Sequence, residues 1–367
     1  MGGCLNQVNR IAAFDALRGL CIVSMVVHHA SSGSLLDKMT HAYRWVDGAV
    51  GFVLLAGVLI GMIQRRAIAT KSLQAGARLL RRRSRQLYVY HLVLTFAALC
   101  AGAYAVGHPL LPQVVNEQGW LIAVGGALIL SVNAMNADLL SVYAVLIFCT
   151  QAITPLLARG RTWAVFCISA SIYVVALIMP QQFTLPAAPG ELGYFNLGAW
   201  QALYVVGLLA GWHWTSKAVR KVFDSRAALI ASVMLLCLGG LLRVLEVEGP
   251  AIDFLLGKFS LGPASLVLAF ALFIFLTRFL TKLITSRAGW LISPLCILGR
   301  NSLAAYLTLA FWFLAATAFQ AYDPASVTGM FASAAVLLVI LLWGIFQTSA
   351  IRRKHKQQKT PSAPRQS

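Results

Sequence analysis

The residues best equipped for chemistry lie inside the most water-averse part of the opening sequence. Phe14-Asp15-Ala16-Leu17-Arg18-Gly19-Leu20 runs on to His28-His29, setting an acid, a guanidinium and two imidazoles in one apolar run. Ionisable groups inside a membrane span are costly, so they mark a functional site by default. Their phase carries the information. At about 100° per residue, the steps from Arg18 to His29 return to within roughly 20° of the starting face and climb about 16 Å. His28 falls about 80° off that face, while Asp15 lies about 60° from Arg18. One side of one helix thus offers a cation toward one end and a titratable base toward the other. An imidazole suits removal of a hydroxyl proton, and a guanidinium suits phosphate or carboxylate.

The elements that must position these groups are membrane helices. The chain has 367 residues, of which 59% are hydrophobic and 11% charged, and its mean hydropathy is +0.77. That composition defines an all-α, polytopic membrane helix bundle, with one membrane domain over 1–350 and a basic, disordered tail over 351–367. Ten apolar runs are long enough to span: 14–32, 47–64, 86–106, 139–158, 162–180, 197–214, 227–247, 262–284, 302–320 and 328–349. Most of the positive residues behind the net charge of +19 sit in a few short connections and the tail. Arg65, Arg66, Lys71, Arg78 and the run Arg81–Arg85 mark one cytoplasmic loop, whereas 107–138 and 181–196 hold no Lys or Arg. Both termini are therefore expected in the cytoplasm. No aromatic-interleaved basic motif accompanies the charge, so nucleic acid is not an expected partner; membrane lipid is. Trp120–Val132 is too short for a crossing and reads as a re-entrant or interfacial helix. The scattered cysteines, including Cys100, Cys149, Cys167 and Cys237, read as small core residues without metal-ligand spacing. No metal site is expected.

Orientation sorts the uncommon polar residues into two sets. Toward the inner face fall Asp15, Arg18, Tyr88, His91, Arg300 and Asn301. Toward the outer face fall His29, Asp47, Asp138, Tyr143, Tyr194, Asn196, Trp200 and Gln201. A basic inner mouth fits a polyanionic cytosolic donor, and an outer mouth of aromatic, amide and carboxylate groups fits a sugar. Each residue also has a plainer reading. Arg18 can snorkel, His29 can rest at the interface, and Tyr194 and Trp200 can belong to an aromatic belt.

Arginine, ten residues and then histidine on a first span is the pattern of membrane acyltransferases that modify extracytoplasmic sugars. Within that group the chain resembles the OpgC family, succinyltransferases of osmoregulated periplasmic glucans. The likeness rests on the stretch around Arg18-Gly19, Asp47 with Phe52-Val53 and Gly57, and Arg85-Gln86-Leu87-Tyr88-Val89-Tyr90-His91. Leu140-Ser141-Val142-Tyr143, Tyr194-Phe195-Asn196 with Trp200-Gln201, and Gly299-Arg300-Asn301-Ser302-Leu303 complete it. Where the family carries a Glu after the aspartate, Val50 and Gly51 stand here, and Ala56 replaces its serine. Its Arg and His at the start of span eight have no counterpart in 264–270. The resemblance implies an enzyme in the bacterial inner membrane that moves an acyl group, succinyl above all, from acyl-CoA as co-substrate to a periplasmic glucan. His29 is then the base, oriented by Asp47 or Asp15. Arg18, Tyr88, His91, Arg300 and Asn301 bind the donor, and Asp138, Tyr143, Tyr194, Asn196, Trp200 and Gln201 bind the acceptor. An O-acetyltransferase of another polysaccharide, a small-anion transporter and an inactive relative are the alternatives.

Overall fold

The computed structural model describes residues 2–359 except 42–44, 136, 259 and 319–322; within 2–11 and 350–359 it describes the backbone. The chain is nearly all helix. In order come α1 (Gly2–Ala30), α2 (Leu35–Thr40), α3 (Gly48–Thr70), α4 (Leu73–Tyr104), α5 (Val114–Leu128), α6 (Asp138–Ala158), α7 (Thr162–Ile178) and α8 (Pro180–Phe183). A two-stranded antiparallel hairpin follows, β1 (Thr184–Ala188) and β2 (Glu191–Asn196). Then come α9 (Leu197–Trp212), α10 (Lys217–Asp224), α11 (Arg226–Val244), α12 (Pro250–Leu256), α13 (Pro263–Ile284), α14 (Ser293–Arg300), α15 (Ser302–Ala318) and α16 (Val327–Lys359).

Each of the ten apolar runs falls on a helix, and those helices differ in length. Among the described residues, seven are long and apolar enough: those in α1, α3, α4, α6, α11, α13 and α16. Helices α7 and α9 have 17 and 16 residues. The segment ending in α14 and the helix α15 are bent by 75° at their break, and counting them as one span brings the total to eight. Helix α16 continues to Lys359, through the first part of the expected disordered tail, because Arg, Lys and Gln are good helix formers. Residues 360–367 lie outside the described residues.

Backbone-to-backbone packing sets the core. Gly57 and Gly61 of α3 rest on the carbonyls of Tyr204 and Leu208 in α9. Gly207 and Gly211 of α9 rest reciprocally on those of Leu54 and Val58. Paired small residues four apart let two membrane helices approach until only a hydrogen side chain fits. A second close crossing joins α1 to α14, with Gly19 against the Leu295 carbonyl and Gly299 against that of Asp15. Cys100, Cys149, Cys167 and Cys237 are exposed rather than core residues. In a bundle whose lipid-facing surface is as apolar as its interior, an apolar run does not reveal which face is buried.

Candidate functional site

Helices α1 and α15 run in the same direction and in step. Arg18 Nη2 donates to Ser302 Oγ at the start of α15. Eleven residues further along each helix, the His29 ring meets Phe313 edge-on at 5.3 Å between centroids. Arg18 and His29 therefore both face α15, which places them on one side of α1 as their spacing requires. The α1–α14 crossing brings Asp15 to Arg300, paired at 2.9 Å.

Arg18 lines a cavity of about 360 Å³ between α1, α3, α4, α6 and α15. Phe52, Leu59 and Ile60 of α3 and Leu140 and Ile147 of α6 make its wall mostly apolar, while Arg83, Tyr143, Gln64 and Ser302 supply its polar atoms. The Arg18 guanidinium lies 5.8 Å from the centre of the Phe52 ring. Tyr143 stands edge-on to the same ring at 5.7 Å. Its hydroxyl is buried and, among the described residues, has no hydrogen-bond partner. A buried polar atom left unpaired costs about 1–3 kcal/mol unless a ligand satisfies it. Tyr143, expected with the acceptor set, thus shares the cavity of Arg18. Arg83, expected to be a topological signal, joins it as well. The apolar phase of Leu80 and Leu87, both buried, turns Arg83 inward. Its neighbours Arg78, Arg81, Arg82 and Arg85 line a separate hollow on the other side of α4.

His29 is not among the residues lining this cavity. The intervening turns are packed: Ile22 and Met25 on α1, and Leu309 and Ala310 on α15, are all buried. Asp47 does not orient His29 through any hydrogen bond shown here. Its Oδ1 caps α3 by accepting from the amides of Ala49 and Val50, and its Oδ2 lies 2.6 Å from Lys258 Nζ. Burial raises the Asp47 carboxyl value, but the Lys258 ammonium and the Val50 amide outweigh it and hold the group below the ordinary range. Asp15 is engaged by Arg300, and its place fourteen residues before His29 sets it about 21 Å away along the helix. Neither carboxylate therefore acts as the imidazole's hydrogen-bonded orienter in this state.

The other expected positions divide sharply. Tyr88 and His91 do not open on the Arg18 cavity. Tyr88 donates to the Leu128 carbonyl at 2.5 Å, and His91 Nδ1 to that of Ala137 at 3.2 Å. Helix α4 pairs with α6 through this stretch, since Ser84 also donates to Ala144. His91 consequently stands beside the start of α6, where Asp138 is, and not at an inner mouth. The short α5, broken at Gly119 with φ 82°, brings the Leu128 carbonyl to Tyr88 midway along α4. Asn301 binds the Ile297 carbonyl in the break before α15 and does not line the cavity.

Asn196 caps α9 by accepting from Ala199 and donates to Ala176. Gln201 clamps Ser169 of α7, and Trp200 is 1% exposed beneath Phe195. These three hold α9 against α7 and the hairpin instead of facing a ligand. Tyr194 and Asp138 do share a cavity, of about 320 Å³, with His108, Glu117, Asn133 and Glu191. Three residues were not singled out from the sequence. Lys258 is delivered by a turn pinned by the Tyr173 hydroxyl on the Leu261 carbonyl. Asp37 and His41 gather with His28 at the end of α1.

The fold and site together define a membrane-type helix bundle that holds a cation and a buried hydroxyl, without a partner among the described residues, in one mostly apolar cavity, with an imidazole beyond it. Comparison with protein-family models makes the assignment more specific. The model described as OpgC protein matches residues 10–353, and this chain belongs to that family. Membership suggests a membrane-associated acyltransferase of the OpgC type. No curated relative and no solved structure matches the chain.

Proposed function

We propose that this protein transfers an acyl group, succinyl in the first instance, from cytosolic acyl-CoA to hydroxyls of a periplasmic glucan across the bacterial inner membrane. One observation carries the proposal: Arg18 and the Tyr143 hydroxyl, which has no partner among the described residues, face the same cavity, whose walls are mostly apolar. Such a chamber suits the thin, amide-containing arm of an acyl-CoA. Arg18 and Arg83 meet its anionic groups, and Tyr143 donates to a carbonyl or carboxylate oxygen. Once the packed turns between the cavity and His29 part to admit the thioester, His29 takes the proton of the attacking sugar hydroxyl as the C–O bond forms and the thiolate of CoA departs. The hollow of Asp138 and Tyr194 suits the acceptor, since carboxylates accept from sugar hydroxyls and an exposed ring stacks on a sugar face.

Reconstituted protein supplied with labelled succinyl-CoA on one side and glucan on the other tests this reading. Label should appear in the glucan, and His29→Ala, with its fold verified by unfolding profile, should abolish the transfer. Retained transfer in that variant would remove His29 from the mechanism. The mass of the adduct separates succinyl from acetyl. Uptake of label without any covalent product would replace an enzyme by a transporter.

A further inference from the structure

We propose that His28, Asp37 and His41 form a binding site for one divalent transition-metal ion of the zinc type, clamping the α1–α3 connection beside His29. The three side chains come from two elements. His28 ends α1, Asp37 lies on α2 and His41 follows it, four residues after Asp37. His28 Nδ1 and His41 Nδ1 each lie 3.1 Å from the same oxygen, Asp37 Oδ1. All three candidate ligand atoms fall within 4.8 Å of one another, and the two rings face each other at 4.4 Å. Zinc–nitrogen and zinc–oxygen bonds of about 2.05 Å give a tetrahedron with edges of roughly 3.3 Å. The two measured edges therefore need little adjustment to admit an ion.

The surrounding groups hold these atoms in place. Asp37 Oδ2 accepts from the Gly33 amide at 2.9 Å, leaving Oδ1 for the ion. The Asp37 amide is itself capped by Ser34. Ser24 Oγ sits 3.5 Å from His41 Nε2 and Thr40 Oγ1 3.3 Å from Nδ1; an ion would take Nδ1 from the Thr40 hydroxyl while Ser24 holds the other ring nitrogen. Two imidazoles and a carboxylate suit zinc, cobalt, nickel or ferrous iron, whereas magnesium and calcium demand oxygen. Three protein ligands leave a fourth position for water. The His28 side chain is 40% exposed, which provides a way in. An ion here ties the end of α1 to α2 and fixes His29, whose ring lies 5.5 Å from that of His28.

The inference is independent of the transferase reading, and its test does not use activity. Full-length protein carrying a histidine-free affinity tag is stripped with chelator, loaded with Zn²⁺ or Co²⁺, and freed of excess. About one ion per chain is expected, with the intense visible absorption of tetrahedral Co²⁺. Asp37→Ala and His41→Gln should each reduce the metal to background. His29→Ala should keep it, and Ser24→Ala should weaken affinity about 10-fold as an outer-shell change. Unfolding profiles of the stripped proteins show whether each variant is folded, and Zn²⁺ should raise the midpoint of wild type but not of His41→Gln. Absence of bound metal in the wild type would overturn the proposal and leave a hydrogen-bonded His–Asp–His cluster. Equal binding by the Asp37 and His41 variants would overturn it too.

Discussion

Lys258→Met isolates the contact that fixes the start of α3. The substitution keeps the apolar stem and removes the ammonium from its 2.6 Å bond with Asp47 Oδ2. Breaking a fully buried ion pair from one side costs about 3–5 kcal/mol, because the remaining charge is stranded. Here the lysine side chain is 26% exposed and the aspartate 9%, and Asp47 keeps its two capping amides. A loss of about 2–3 kcal/mol follows once water and the cap share the stranded charge. Asp47→Asn should cost about 1 kcal/mol, since the amide oxygen still caps the helix and Lys258 can turn outward. The double variant should be less destabilised than the sum by about 1 kcal/mol or more.

Acid dependence gives a second reading of the same contact. A carboxyl held below its ordinary value stabilises the fold above the unfolded pKa of about 3.9, and this contribution is lost as pH falls through the folded pKa. Without Lys258, burial is opposed mainly by the cap, so the acid limb of unfolding should move to higher pH. Unfolding in mixed micelles, followed by tryptophan fluorescence across pH, measures both effects. A Lys258→Met variant within about 0.5 kcal/mol of wild type, with its acid limb unmoved, would refute the reasoning.

Tyr143→Phe should leave the ligand-free protein as stable as wild type or up to about 1 kcal/mol more stable, because it removes an unpaired buried hydroxyl. The same change should raise KM for acyl-CoA; a matched loss of stability would show that the hydroxyl was satisfied after all. Arg18→Met should weaken donor binding by about 10- to 100-fold, the worth of one hydrogen bond to a charged group, in a competition assay with CoA. Arg18→Lys should recover part of it as a point charge. Gly211→Val should lower stability by about 3 kcal/mol or more, since its side chain would meet the backbone of α3 and not a movable group. Thermal aggregation of that variant in detergent, beside wild type, measures the loss.

The phase of Arg18 and His29 was legible because helical geometry is fixed before any neighbour is known. The register with α15, which shows both side chains facing one partner, needed the tertiary structure. Asp47 was visible as an acid at a helix start, but its partner Lys258 lies more than two hundred residues away on a turn without a motif. Asn196, Trp200 and Gln201 stood out as polar or aromatic groups beside an apolar run. The sequence could not reveal that their atoms are consumed in joining α9 to α7 and the hairpin. Tyr88 and His91 fall midway along α4 and not at its start, because the helix begins at Leu73, within the basic stretch that reads from sequence as a loop. Arg83 was hidden among four other arginines, and only the burial of Leu80 and Leu87 singles it out.

The packed turns between Arg18 and His29 have a bioenergetic consequence. A protein that handles polar substrates at opposite ends of one bundle risks becoming a leak for protons and small ions. Ile22, Met25, Leu309 and Ala310, between the levels of Arg18 and His29, are apolar and buried, so a bare ion passing there would travel without hydration. For a transferase of the proposed kind, this arrangement would let a charged mouth stand open on one side without short-circuiting the membrane potential.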